Sequence, residues 1–302
     1  MSTTPVLPTH GPLSLEQAIR TVASAFDKAG LNFGHGTDNA LDEASWLLMH
    51  ALGIPVDQPP DYAQSIAESQ RESCNQFIQR RISERVPVAY LTGRAWFAGH
   101  EFFCDERALV PRSPLAEFIT CDFFGLFQAQ GSVLSSPPTR ILDLCTGGGC
   151  IGISCALTDP HCEVVCSDIS PAALELAASN VAKHGLQQRV RVVESDLFSD
   201  IDGRFDLIIS NPPYVDADDI ASMPEEFHAE PVLGLAAGND GLDLVRVMMR
   251  QATQYLSERG WLVVEVGNSQ PAMEKAYHHL PLSWLEFSHG GHGVFAIHVK
   301  DL

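Results

Sequence analysis

The sequence predicts an α/β fold: a doubly wound, mostly parallel seven-stranded sheet with a C-terminal antiparallel hairpin, preceded by a small helical domain. Short apolar runs alternate with amphipathic segments from residue 139 onward, which is typical of parallel strands joined by helices. The last two runs, 282–287 and 294–299, are separated only by a glycine-rich loop. This loop is too short for a crossover, so we expect these strands to pair antiparallel. Residues 14–87 instead repeat apolar side chains at helical spacing.

Residues 1–87 are assigned to a helical substrate-recognition domain. Ser14 and Gln17 form a capping box at the start of the first helix, a second apolar stripe follows Asp38, and a third helix stops before Pro87. We interpret the arginines of the third helix as a solvated face, with a patch that contacts RNA or a protein partner as the alternative. These arginines are Arg71, Arg80, Arg81 and Arg85.

Residues 88–112 are assigned to a β-hairpin linker because their apolar runs are short and cut by glycine. The runs include Tyr90-Leu91 and Trp96-Phe97. Residues 113–302 form the second domain. Its predicted strands are 141–144, 163–167, 190–193, 205–209, 261–266, 282–287 and 294–299.

Composition and charge narrow the classes of function. With 302 residues, 45% of them apolar, the chain is long enough for two domains. No apolar run approaches the length of a transmembrane helix and the first residues lack the pattern of a signal peptide, so we expect a cytoplasmic protein without membrane contact. The net charge of −19 disfavours a nucleic-acid substrate and suits a basic protein partner, although solubility alone accounts for it equally well.

The cysteines and late histidines do not predict a metal site. None of the eight cysteines forms a C-x-x-C pair, and most lie on or beside apolar segments, so we interpret them as buried free thiols. Four histidines lie among loops and glycines near the end of the chain, and we expect no metal there. They are His278, His279, His289 and His292.

Glycines follow the first predicted strand of the second domain. Gly147, Gly148 and Gly149 let the backbone approach a ligand and expose N–H groups at a helix start. Together with Gly152 they formally satisfy the dinucleotide fingerprint, which keeps an NAD-dependent oxidoreductase open as an alternative.

Three acidic residues mark successive strand ends. Asp143 lies inside the first strand near the glycines, Asp168 ends the second strand, and Asp196 follows the third. A carboxylate at Asp168 suits ribose hydroxyls and one at Asp196 suits an adenine amino group. Carboxylates also suit a positive sulfonium and do not suit a pyrophosphate, which favours a sulfonium nucleoside over a dinucleotide.

The fourth strand delivers Asn211-Pro212-Pro213-Tyr214 to the edge where open α/β sheets bind ligands. The prolines remove N–H donors and leave carbonyls free to accept. Together with the Asn211 side chain they suit a planar NH₂ group, with Tyr214 stacked on its plane.

These motifs resemble those of class I S-adenosylmethionine-dependent methyltransferases, and more narrowly of the N(5)-glutamine methyltransferases that modify proteins of the translation apparatus. The glycine motif stands at residues 143–151 and the substrate motif at residues 211–214. The resemblance implies S-adenosylmethionine as cofactor. It also implies cofactor contacts by Cys145, Thr146, Leu197 and Asn211, besides the glycines and the three aspartates. Because an N-protonated amide is very acidic and needs no strong base, we expect no catalytic histidine. It further implies substrate contacts by Arg112, Asn211, Pro212, Pro213 and Tyr214.

Within that family the sequence is most like the branch that methylates large-subunit ribosomal protein L-three. The stretch Leu109 to Ile119 and the run Gly290 to Phe295 carry this likeness. His292 stands where an acidic residue is expected, and Leu197 stands where the family has an aromatic residue. The implied partner is a basic ribosomal protein, with contact to ribosomal RNA during assembly.

Several alternatives remain open. Release factors are the second candidate substrates, since their methylation uses the same chemistry and differs only in how the substrate docks. Adenine N(6)-methylation of nucleic acid is a third, disfavoured by the charge. A non-catalytic ribosome-assembly factor that retains the cofactor fold is a further one, disfavoured by the intact Asn-Pro-Pro-Tyr.

Overall fold

The computed structural model describes residues 5–55, 58–122, 137–215, 223–235 and 237–302. The chain divides into two compact units. Unit 1 contains Met1–Arg94 together with Pro224–Ala229, and unit 2 contains Ala95–Met223 together with Glu230–Leu302. The helical prediction for the first part of the chain is confirmed, whereas its role in substrate recognition stays a prediction.

Four helices build unit 1: α1 (Leu15–Lys28), α2 (Ala40–Ala51), α3 (Glu68–Ser83) and α4 (Val88–Thr92). The predicted capping box is present, because the Ser14 hydroxyl accepts from the Gln17 N–H and the Gln17 side chain accepts from the Ser14 N–H. Tyr90 and Leu91 were expected in the hairpin but lie in α4, since the preceding Pro87 favours a helix start.

The prediction of a solvated arginine face on α3 is wrong for two of its members. Arg71 donates to the carbonyls of Pro8, Gly11 and Ile66 and is buried. Arg81 is fully buried as well. These side chains therefore stabilise the interior of unit 1.

Arg81 lies between two buried carboxylates. Its Nε contacts Glu43 Oε1 at 2.5 Å and its Nη1 contacts Glu226 Oε1 at 3.4 Å, while Nη2 donates to the Asn32 carbonyl at 2.9 Å. Glu226 also accepts from the Asn32 N–H at 3.0 Å and from Arg85 Nη1 at 3.2 Å. Burial opposes ionisation of Glu226, but these donors outweigh it and hold its pKa below the usual range.

Unit 2 begins with a hairpin and then alternates strands and helices. The strands of the hairpin are β1 (Arg94–Phe97, which starts at the last residue of unit 1) and β2 (His100–Phe103). The remaining strands are β3 (Arg140–Leu144), β4 (Glu163–Asp168), β5 (Val190–Glu194), β6 (Phe205–Ser210), β7 (Leu256–Glu265), β8 (Ser283–Trp284) and β9 (Val294–His298). The helices are α5 (Leu115–Glu117), α6 (Cys150–Thr158), α7 (Pro171–Lys183), α8 (Asp243–Tyr255) and α9 (Gln270–Ala276).

The large sheet has seven strands in the order β5-β4-β3-β6-β7-β9-β8. The first five of these strands are parallel, and β9 pairs antiparallel with both β7 and β8. The predicted fold class is confirmed. The strand expected at 282–287 is shorter than predicted, because only Ser283 and Trp284 pair with β9.

The sheet has a separate apolar core on each face. One core gathers Ile141, Ile209 and Val263 against α6, and the other gathers Leu142, Ile208 and Leu262 against α8. Neighbouring residues of β3, β6 and β7 thus point to opposite faces, as strand geometry requires. Burial on both faces explains why these strands read as continuous apolar runs.

No helix in the described ranges combines the length and the apolar character that crossing a bilayer requires. Within these ranges no cluster of histidine, cysteine or acidic side chains has the arrangement of a metal site. The described thiols are free, as predicted, and the side chain of Cys121 lies outside the description.

Candidate active site

The predicted site residues meet at the carboxyl edge of the parallel strands in unit 2. Leu144 at the end of β3 pairs with Ser167 of β4 and with Ser210 of β6, so these three strands end side by side. Asp168 pairs with Glu194 at the end of β5. Asp168 is the last residue of β4, and the loops that follow the strands carry the glycines, Asp196 and Asn211. The strand order reverses between β3 and β6, as in other ligand-binding α/β sheets.

The loop after β3 is shaped by backbone conformations that favour glycine. Gly147 and Gly149 have φ values of +56° and +85°. A Cβ on Gly149 would come within 2.9 Å of Ile153 Cδ1 and 3.2 Å of Ala177 Cβ, so this position has little room for a side chain. Cys145 and Leu197 adopt φ of +57° and +49° without being glycine, a strain that is concentrated at functional sites.

Asp143 supports this loop from inside the sheet. Its Oδ2 accepts from Thr146 Oγ1 at 2.5 Å and from the Gly152 N–H at 2.8 Å. Complete burial raises its pKa to about 7. Its other oxygen, Oδ1, is buried and has no hydrogen-bond partner among the described residues, which leaves an acceptor beside the loop.

Asp168 joins the loop after β4 to the glycine loop. Its Oδ2 accepts from the Gly147 N–H at 2.9 Å and its Oδ1 accepts from the Ser170 N–H at 2.9 Å. Each carboxylate oxygen can accept a further hydrogen bond. Asp196 is exposed, and within the described part of the chain no donor reaches its carboxylate.

These observations fit S-adenosylmethionine. The unpartnered Asp143 oxygen, the two carboxylates with remaining acceptor capacity and the glycine loop all lie at one edge. They offer acceptors to a ribose and to amino groups, and negative charge to a sulfonium. Half-exposed Ile169 and buried Leu197, which follow Asp168 and Asp196 in the sequence, offer apolar surface.

The Asn-Pro-Pro-Tyr corner is held in place by its neighbours but contains acceptors that make no hydrogen bond among the described residues. The Ser210 hydroxyl donates to the Leu144 carbonyl at 2.7 Å and so joins the ends of β6 and β3. Pro212 and Pro213 are buried. In the described ranges neither the Asn211 carboxamide nor the Pro212 carbonyl forms a hydrogen bond.

Tyr214 is held on several sides. Its hydroxyl donates to Glu265 Oε1 at 2.9 Å, and its carbonyl accepts from Ser269 Oγ at 3.1 Å. A Cβ on Gly267 would come within 2.5 Å of the Tyr214 ring, so the ring packs directly on this glycine. Burial and the adjacent Glu265 carboxylate raise the pKa of the Tyr214 hydroxyl well above its usual value.

Arg112 forms a two-point ion pair with Glu230. Its Nη1 and Nη2 lie 2.5 and 2.7 Å from the two carboxylate oxygens, and Glu230 also accepts from the Val110 N–H at 3.0 Å. Glu230 is buried, so the pair fixes the guanidinium. Substrate contact by Arg112 stays a prediction.

Sequence reasoning missed Glu265 and Ser113. Glu265 ends the otherwise apolar stretch of β7 at the same sheet edge as Asp143. A carboxylate at the end of an apolar strand was the signal that identified Asp168, and the same signal could have identified Glu265. Ser113 carries no comparable signal.

Family comparisons match both parts of the chain. The family described as Methyltransferase small domain matches residues 131–232, and the PrmC N-terminal domain matches residues 17–93. Among solved structures, the hMettl16 catalytic domain in complex with MAT2A 3'UTR hairpin 6 aligns with a TM-score of 0.50 at 16% identity. It covers 79% of this chain and 85% of that one, and the likeness concerns the fold alone.

Two relatives carry the name ribosomal protein uL3 glutamine methyltransferase. The one from Xanthomonas campestris pv. campestris is 47% identical over 287 residues, or 94% of this chain and 91% of the relative. The one from Neisseria meningitidis serogroup A is 40% identical over 290 residues, or 96% of this chain and 94% of the relative. The resemblance predicted from the motifs is confirmed: the chain belongs to the family of ribosomal protein uL3 glutamine methyltransferases.

Proposed function

We propose that this protein transfers a methyl group from S-adenosylmethionine to the side-chain amide nitrogen of a glutamine in large-subunit ribosomal protein uL3. The observation that carries the proposal is the pair of unused acceptors, the Asn211 carboxamide oxygen and the Pro212 carbonyl, at a corner where the Ser210 and Tyr214 hydroxyls are engaged in other hydrogen bonds. A primary amide has two N–H donors, and these two oxygens match them. The names of the relatives support the choice of substrate.

An amide nitrogen is a weak nucleophile because its lone pair is delocalised into its carbonyl, and the two acceptors would make it more reactive. Asn211 and Pro212 would accept its two hydrogens, aim the nitrogen and favour electron density on it. Tyr214 would cover the amide plane. Bound S-adenosylmethionine supplies an electrophilic methyl group on a sulfonium.

Positive charge develops on the nitrogen during transfer, so acceptors placed there stabilise the transition state more than the ground state. Alignment at contact distance removes the entropy of encounter, which can contribute several kcal/mol. No strong base is required, since an N-protonated amide is very acidic.

The cofactor is held by residues of the same edge. Asp168 would accept from the ribose hydroxyls, Asp196 from the adenine amino group, and the glycine loop 147–149 would lie against the methionine part. Cys145, Thr146 and Leu197 complete the proposed contacts through their loops. Because its substrate is a ribosomal protein, we assign the enzyme to the cytoplasm and include ribosomal RNA contact during assembly in the proposal.

Replacing Asp168 with asparagine should weaken S-adenosylmethionine binding by about 1–3 kcal/mol, because a charged acceptor of the ribose is lost. Isothermal titration calorimetry measures the change. Glu163→Gln is the matched control, since Glu163 begins the same strand at its other end and is exposed. Equal affinities for Asp168→Asn and the parent protein would remove Asp168 from the ribose role.

Labelled S-adenosylmethionine identifies the substrate. The parent protein is incubated with purified uL3, release factors and DNA in parallel, and digestion of the labelled product locates the methyl group. We expect label on a glutamine of uL3. Label on release factors alone would show that these are the substrates instead of uL3, and label on DNA alone would contradict protein methylation.

A further inference from the structure

Glu265 lies at the end of the strand next to the one that carries the substrate corner. It is the last residue of β7, one strand away from Asn211, and its side chain is almost completely buried. Burial raises the pKa of Glu265. A buried carboxylate is costly unless it is hydrogen-bonded, so its partners indicate what it does.

Both carboxylate oxygens of Glu265 accept from hydroxyl groups. Oε1 accepts from the Tyr214 hydroxyl at 2.9 Å and Oε2 accepts from Ser113 Oγ at 2.5 Å. Ser113 Oγ in turn accepts from the Leu115 N–H at 3.1 Å, so its own hydrogen is directed to Glu265. Ser113 therefore orients the carboxylate that accepts from the tyrosine hydroxyl.

The remaining contacts of Tyr214 enclose its backbone carbonyl and one side of its ring. Gly267 lies against the ring and Ser269 holds the Tyr214 carbonyl. A Cβ on Gly241 would collide with that carbonyl and with the Ser269 hydroxyl, so the backbone here is closely enclosed. The hydroxyl lies at the far end of the ring from the backbone, and its hydrogen bond to Glu265 restrains that end of the ring.

We propose that Glu265 is a positioning residue for methyl transfer, which acts through the Tyr214 hydroxyl to hold the ring flat against the substrate amide. The inference rests on the proposed function and adds a residue to it. Ser113 extends the same chain of contacts outward to the start of α5.

The test combines Glu265→Met with Tyr214→Phe. Glu265→Met keeps the length of the side chain and removes both acceptors, so kcat should fall about 10- to 100-fold through misplacement of the ring, with the KM for S-adenosylmethionine unchanged. Tyr214→Phe should lower kcat similarly. In the Tyr214→Phe protein the further change Glu265→Met should lower kcat by less than about twofold, because the hydroxyl through which it acts is absent.

Rescue and control variants separate positioning from stability. Glu265→Gln retains a carbonyl oxygen for the Tyr214 hydroxyl and should recover most of kcat. Asp206→Asn is the matched control: Asp206 is also buried in the sheet, but it lies near the start of β6 and accepts from Thr139 and Ser257. It should lower the melting temperature and leave kcat unchanged.

The outcomes are distinguishable. If Glu265→Met lowers kcat equally whether position 214 is tyrosine or phenylalanine, the inference is overturned and the proposed function still stands. The same holds if Glu265→Met changes only the KM for S-adenosylmethionine. A parent protein that methylates no glutamine would overturn both. If Glu265→Met does not fold, Ser113→Ala takes its place, and its smaller loss of kcat must likewise disappear in the Tyr214→Phe protein.

Discussion

Replacing Asn211 with alanine should slow methyl transfer about 30- to 1000-fold. Removal of one acceptor from a preorganised site costs about 2–4 kcal/mol of transition-state stabilisation. The effect is large because Asn211 makes no hydrogen bond within the described chain, so its oxygen is reserved for the substrate. Single-turnover transfer to uL3 measures the rate.

Two parallel measurements make the result specific. The melting temperature should change little, since no hydrogen bond of the described residues is lost, and calorimetry separates any weakening of cofactor binding from the rate. A variant that transfers methyl at the parent rate would refute the role of Asn211.

Replacing Arg81 with methionine should destabilise unit 1 by about 3–5 kcal/mol. The change leaves the buried carboxylates of Glu43 and Glu226 without their shared cation, and an uncompensated buried charge is strongly destabilising. Urea unfolding followed by tryptophan fluorescence, to which Trp46 contributes from its place against the core of unit 1, measures the free energy of unfolding.

Arg80→Met is the matched control one residue away. Arg80 forms an exposed pair with Glu84 four residues along the helix, and such pairs contribute less than about 1 kcal/mol. Similar losses from the two variants would mean that the buried pairs contribute no more than a surface pair.

The strand-end carboxylates and the Asn-Pro-Pro-Tyr corner could be predicted from the sequence because each lies in or just after an apolar run. Parallel strands end at one edge, so the order of runs along the chain was enough to bring Asp143, Asp168 and Asn211 together. The antiparallel pairing of the last two strands could be predicted from the length of their loop, since a short loop permits no crossover.

Long-range polar partners could not be predicted in this way. Arg81 and Glu226 are 145 positions apart, and Tyr214 and Glu265 are 51 apart. No local pattern distinguishes an arginine that will meet buried carboxylates from one on a solvated helix face. The burial of Asp143 was also not evident, because it depends on Thr146 and Gly152 folding back onto it.

The central claim is that a glutamine carboxamide is held by the Asn211 side-chain oxygen and the Pro212 carbonyl. A crystal structure of the protein with S-adenosylhomocysteine and a glutamine-containing segment of uL3 tests it most directly. We expect the glutamine amide nitrogen at hydrogen-bonding distance, about 2.9 Å, from both oxygens, with the Tyr214 ring on the amide plane. A glutamine nitrogen directed away from both oxygens would contradict the account.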